Sequence, residues 1–152
     1  NSACLGNVSM HMGGWDIGIC DILFGRDKKR LKSHGFNCWI NFKGICHQGV
    51  ICKHSVFERI GLFDTDFKVT MDYDFFLRAY RNNIKAINIP IILSVMGDAG
   101  ISSKQDWNSL LQRFSEEKKV HYKNNSSDIM HCGYFVYWVL YPVYRFIKQT
   151  FK

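Results

Sequence analysis

The sequence predicts an α/β fold, and three stretches carry that prediction. Residues 16–24, DIGICDILF, alternate in part between apolar and polar positions and run into Gly-Arg-Asp, the pattern of a strand entering a turn. Residues 72–82 place Phe75, Phe76, Ala79 and Tyr80 on or beside one face of a helix. Residues 84–96, IKAINIPIILSVM, form a β-branched run interrupted by Pro90.

In chain order, KKRLK after the first strand predicts a hairpin-like return. Residues 34–46, punctuated by Gly35 and Gly44, predict loop with a short helix. CHQGVICK, 46–53, predicts a short strand whose Gly49 marks the close approach of another backbone or a ligand. Ser55-Val56-Phe57-Glu58 has the form of a capping box. The short helix it predicts ends at Gly61, with Leu62 and Phe63 folding back as an apolar clasp. FDTDF follows as a turn, and Asn82-Asn83 end the helix of 72–82. Pro90 divides 84–96 into two short strands or kinks one edge strand. After the loop GDAGISS, residues 104–123 predict a polar amphipathic helix with Trp107, Leu110, Leu111 and Phe114 at helical spacing.

The last segment, CGYFVYWVLYPVYRFIKQTFK, has no charge from Gly133 to Tyr144 and then turns basic. That stretch is shorter than the roughly 20 apolar residues a bilayer-spanning helix needs, and Pro142 is expected to kink it. Its tyrosines and tryptophan, followed by Arg145, Lys148 and Lys152, suit the interface between lipid head groups and acyl chains. The competing expectation is a C-terminal helix docked on the domain's own core.

With 152 residues the chain is long enough for one hydrophobic core, and 47% hydrophobic with 15% aromatic residues excludes a disordered chain. A net charge of +7 favours anionic partners. The basic residues form only short clusters, Lys28-Lys29-Arg30 and Lys118-Lys119, so no nucleic-acid partner is expected. None of the six cysteines stands at zinc-knuckle spacing, so they read as reduced structural thiols in a reducing compartment. A cytoplasmic protein, peripheral at the inner face of the membrane, fits these features. The opening residues NSACLGNVSMHMGGWD have neither a basic start nor a continuous apolar run, and no initiating methionine. The expectation is therefore a piece of something longer, without a signal peptide.

HQGVICKHSVFERIGLFDTDFKVTMDYDFFLRAY, followed by IPIILSVMGDAGISS, resembles the C-terminal half of family 2 glycosyltransferases with the GT-A fold, the enzymes that build bacterial cell-surface polysaccharides. The pieces in common are a His-Gln before a strand, a helix ending Ile-Gly-Leu-Phe-Asp, an acid-led helix ending Leu-Arg, and a Gly-Ile-Ser loop. The resemblance covers residues 45–103 well and 16–30 loosely. It implies a partial GT-A-like mixed sheet flanked by helices over 1–103, and a helical tail over 104–152. It further implies transfer of a sugar, with inversion, from a nucleotide sugar to a saccharide or lipid-linked acceptor.

In that family the helix corresponding to 72–82 opens with an acidic pair and has an arginine six residues after the aspartate. Asp72 and Arg78 keep that spacing, with Met71 where glutamate often stands, so the resemblance puts Asp72 in the place of the catalytic base. The chemistry asks for such a group: one carboxylate must take the proton of the acceptor hydroxyl as it attacks the anomeric carbon. A helix N-terminus favours the anion and holds it rigidly. The plain alternative for Asp72 is an N-cap worth about 1 kcal/mol. Asp74, four residues before Arg78, reads as half of a structural ion pair. By the resemblance His47 and Gln48 lie near the sugar pocket, and Gly100 and Ser102, in the Gly97–Ser103 loop, near a phosphate.

The Asp-x-Asp metal motif of these enzymes has no counterpart: Asp64-Thr65-Asp66 reads as a turn and Asp72-Tyr73-Asp74 opens a helix. A divalent cation, Mg or Mn, is expected for the complete enzyme, with no metal ligands in this chain. A missing N-terminal half or a partner chain would supply the nucleotide site. Two other readings compete. One is a non-catalytic membrane-peripheral or scaffold protein that keeps part of the fold. The other is a small zinc or nucleic-acid module built on Cys46, His47 and Cys52.

Overall fold

The apolar run at 17–24 forms β1 (Ile17–Phe24), the central strand of a four-stranded mixed sheet with helices packed beside it. This computed structural model describes residues 13–32, 34–97, 106–125 and 127–150. The leading residues 1–12 and the two loop positions Gly100 and Ser102 lie outside the described residues.

On one edge of β1, β4 (Ala86–Met96) runs parallel along its whole length. On the other edge two short antiparallel strands lie end to end: β3 (Val50–Cys52) opposite Ile17–Ile19, and β2 (Lys29–Leu31) opposite Ile22–Phe24. β2 is the expected hairpin return, reached through a turn in which Gly25 and Lys28 take positive φ angles of 75° and 48°. Pairing on both edges explains why β1 is buried for most of its length.

The strand expected over 46–53 is shorter. Its first half is a 3-10 turn, His47–Gly49, closed by the Gly49 N–H donating to the Cys46 carbonyl at 3.0 Å. Gly49 sits where β1 passes: a Cβ there would lie 2.5 Å from the Cys20 carbonyl oxygen. The close backbone approach expected of this glycine is therefore present. Pro90 does not divide β4. Ile89 pairs with Cys20, Ile92 with Asp21 and Ser94 with Ile22, so the strand bulges past the proline, which has no N–H to give the ladder.

α1 (His54–Ile60) starts two residues earlier than the capping box requires. Its N-cap is Lys53, with no side-chain cap, and Ser55 lies inside the helix, while Glu58 pairs with His54 at 3.3 Å on the surface. The Lys53 N–H donates to the Asp16 carbonyl at 3.0 Å, and this tie to the start of β1 sets the entry point over the local motif. Gly61 ends α1 with φ 80°. Of the expected clasp only Phe63 closes, against Phe57 and Phe75, while Leu62 stays 75% exposed.

α2 (Met71–Arg81) buries Phe75, Phe76, Leu77 and Ala79 against Ile17 and Ile19 of β1, Val56 of α1 and Val120. The Asp74–Arg78 pair forms as expected, at 2.8 Å, but it is not a surface pair. Asp74 is fully buried and also takes bonds from Lys123 at 3.1 Å and Asn124 at 2.8 Å. Arg78 in turn donates to the Ile60 and Leu62 carbonyls, tying down the end of α1.

α3 (Trp107–Lys123) is capped by Asp106, whose carboxylate accepts from the Ser109 N–H at 2.9 Å. Leu110 and Phe114 are buried; Trp107 and Leu111, expected on the same face, remain exposed. α4 (Asp128–Thr150) runs through Pro142 unbroken. It lays Tyr134, Tyr137, Trp138 and Tyr141 on Phe42, Phe114 and His121, so one side of this helix is docked on the domain. No helix among the described residues is long and apolar enough to cross a membrane.

Candidate functional site

The start of α2 is fixed by α3. Thr70, its N-cap, makes no cap with its own side chain toward the helix. Instead Glu116 accepts from the Val69 N–H at 2.8 Å and from the Thr70 N–H and hydroxyl at 3.1 and 3.3 Å. Burial opposes ionisation of Glu116, yet the Val69, Thr70 and Lys68 amides and Gln112 outweigh it and hold its carboxyl below the ordinary carboxylate range.

Asp72 is thus in the first turn of α2, not at its cap. Its Oδ1 accepts from the Tyr73 N–H at 2.8 Å, and its Oδ2 lies 2.7 Å from His47 Nδ1. The carboxylate oxygen only accepts, so Nδ1 carries the proton and Nε2 of a neutral His47 keeps its lone pair. His47 is presented by the tight turn whose Gly49 is pressed on β1, and Ser94 of β4 anchors that turn by donating to the Gln48 carbonyl at 2.8 Å. Gln48 accepts from the Cys46 thiol at 2.9 Å. Two residues read separately as base and substrate contact therefore meet as a pair.

Asp72, His47 and Gln48 line a cavity of about 840 Å³ between the sheet, α2 and α3. Arg30, Lys32, Lys43, Lys68 and Arg113 also line it, against two carboxylates among the described residues, Asp72 and Glu117. Arg30 is paired with the buried Asp21 at 2.6 Å. Burial pushes Glu117 up to about 7, with Arg113 and Arg145 opposing the shift and Asp72 adding to it. Burial, together with Lys43, lowers His34 on the same wall. The site holds carboxyl, carboxylate and imidazole groups within a predominantly cationic enclosure.

Behind Asp72, Tyr73 Oη lies 2.7 Å from His121 Nε2, and the Trp138 indole N–H donates to His121 Nδ1 at 3.0 Å. An indole nitrogen only donates, so His121 accepts on Nδ1 and its Nε2–H donates to Tyr73. Burial lowers His121 to about 4 and raises the Tyr73 hydroxyl. This chain joins α2, α3 and α4 and fixes the backbone that carries Asp72.

Sequence reasoning did not find Glu117, Arg113, Lys43 or Lys68. They lie on three separate segments with no motif, and the only signal was the excess of basic residues. Among the described residues no three His, Cys, Asp or Glu side chains gather as a metal site, so Cys46, His47 and Cys52 do not form the zinc module considered above. Cys20, Cys38, Cys46, Cys52 and Cys132 are free thiols, two of them, Cys38 and Cys132, on the surface. Burial raises Cys52 to about 11.

Comparison with protein-family models, curated proteins and solved structures finds no match, so function rests on the geometry of this site.

Proposed function

We propose that this chain is the acceptor-side part of a glycosyltransferase, moving a sugar from a nucleotide sugar to a saccharide or lipid-linked acceptor with Asp72 as general base. The observation that carries the reading is the Asp72–His47 pair, 2.7 Å apart in a cavity with five cations on its walls. An inverting transfer needs a base beside the acceptor hydroxyl and positive charge to offset the phosphates of the donor or of a lipid-linked acceptor. Asp72 supplies the first, held by its own helix amide and by His47. Arg30, Lys32, Lys43, Lys68 and Arg113 supply the second. The cavity volume suits a sugar-sized ligand with one charged group attached. The nucleotide-binding part and its divalent cation come from a further segment or a partner chain.

A second reading of the proton transfer has its own support. Both Asp72 oxygens are engaged, and the His47 side chain is 52% exposed against 26% for Asp72. In that version His47 Nε2 takes the proton and Asp72 orients the ring. Release of nucleoside diphosphate from UDP-, GDP- and dTDP-sugars, measured with the donor part supplied, tests both. Asp72→Asn should cut turnover by about 10²-fold or more while leaving the unfolding temperature near that of the parent. His47→Gln should cost as much if His47 is the base, and far less if Asp72 is. Full turnover by Asp72→Asn would remove Asp72 from the chemistry.

A further inference from the structure

We propose that α4 lies in the interface of an anionic lipid bilayer, its outer face sunk among the acyl chains, holding the cavity at the membrane surface. The docked side of the helix is fully used by Tyr134, Tyr137, Trp138 and Tyr141. The opposite side is the unusual one. From Ile129 to Ile147 every exposed residue is aliphatic, aromatic, glycine or cysteine. Phe135, Val136, Leu140, Phe146 and Ile147 are each between 50 and 66% exposed. Nineteen residues of helix extend about 28 Å, and an apolar strip of that length on a solvent-facing helix marks a contact surface.

The chemistry of the strip chooses its occupant. An interface between proteins carries about one hydrogen bond per 100–200 Å², and this face offers only the Tyr144 hydroxyl and the Cys132 thiol. Acyl chains ask for none. Charge points the same way. A second copy of a chain with net charge +7 is repelled at close range, whereas anionic head groups attract it. Lys148 stands exposed at the end of the strip, its ammonium 5.8 Å from the Tyr144 ring, the arrangement of an aromatic and a cation sharing a head-group layer. The helix does not span a bilayer, so it lies along the surface.

This placement fixes the position of the site. Trp138 and Tyr141 of α4 pack on Phe114 of α3, the helix whose Arg113 and Glu117 line the cavity, so a helix lying in the interface brings the cavity close to head-group level. If the cavity transfers sugar, its acceptor is then a lipid-borne one; the membrane contact itself does not depend on that reading.

Sedimentation of the full chain with vesicles of phosphatidylcholine alone, and of phosphatidylcholine with phosphatidylglycerol, tests the proposal. Binding is expected to the anionic vesicles and to be weaker to the neutral ones. Val136→Glu and Leu140→Glu replace exposed side chains, so both should keep the circular dichroism and unfolding temperature of the parent and bind more than tenfold more weakly. Lys148→Gln should weaken binding about fivefold. Failure to sediment with either vesicle, or unchanged binding by Leu140→Glu, overturns the proposal. So does a lipid-free dimer that Leu140→Glu splits, which would give the face to a second copy.

Discussion

Asp72 and Asp74 stand two residues apart on α2 and meet opposite environments. Asp72 opens onto a cavity; Asp74 is sealed against Arg78, Lys123 and Asn124. The sequence-level value of an exposed i,i+4 pair, about 0.2–0.5 kcal/mol, does not apply to a fully buried carboxylate. Asp74→Ala strands the cations around it and should cost about 3 kcal/mol, the low end for a broken buried pair because Lys123 still reaches water. Urea unfolding measures it, and a loss under 1 kcal/mol would mean that the cations re-solvate freely. A half-buried and a fully buried titrating group, Glu117 and His121, set opposing pH trends. Folded Glu117 keeps its proton to about 7 against an ordinary value of 4.5, so this group makes stability fall as pH rises through that interval. Folded His121 stays neutral down to about 4 against an ordinary 6.5, so stability falls as pH drops through that one. Between 4.5 and 6.5 the two slopes oppose. Glu117→Gln removes the first, and the variant should gain stability over the parent steadily as pH rises from 4.5 to 7 in a series of urea titrations. An unchanged pH profile would place Glu117 in water.

At the scale of elements, periodicity and punctuation located the four strands and four α-helices found among the described residues to within a few positions. β1, α2 and α3 declared themselves by apolar spacing, and Gly61 and Asn82 by their places at helix ends. What failed was a local rule meeting a distant tie. The Ser55–Glu58 box gave way to the bond from Lys53 to Asp16, whereas at Pro90 the second of the two expected outcomes holds: β4 is one edge strand, kinked, because β1 pairs on both sides of the bulge. The site was legible only in part. Asp72 was found, while its contact with His47, twenty-five positions away, and the Glu116 cap on α2, contributed by α3, depend on tertiary packing that no spacing encodes. The turn that presents His47 carries its own prediction. Gly49→Ala drives a methyl into the Cys20 carbonyl and should cost about 1–3 kcal/mol while displacing His47. Urea unfolding reads the first effect, and the histidine resonance of His47, followed by NMR, reads the second.

Over the whole molecule, five of the basic residues, Arg30, Lys32, Lys43, Lys68 and Arg113, come from separate segments to line one cavity that also holds the Asp72–His47 pair. Pyrophosphate, the charged part common to nucleotide and lipid-diphosphate ligands, should raise the unfolding temperature, with a stabilisation of about 2.7 kcal/mol at a hundred times its dissociation constant. Because the cations are partly solvated, the effect should shrink as salt rises. UDP, GDP or dTDP with manganese, giving a larger shift than pyrophosphate, would show that this chain alone reaches the nucleoside. No shift with any of them would deprive the cavity of its anion-binding role.

The topology of the sheet also has a kinetic consequence. β1 meets β2 within a hairpin, but its longest partner, β4, lies some seventy residues further along the chain and pairs in parallel. Closing so long a loop must precede the contacts that reward it, so the β1–β4 ladder should be among the last structure to form. Until β4 arrives, β1, the most deeply buried of the four strands described, has a bare edge while α1 and α2 are already able to form locally. A newly made chain is therefore most prone to associate wrongly in that interval, and a holdase that covers extended apolar segments should raise its folding yield most if present before residue 86 has been synthesised.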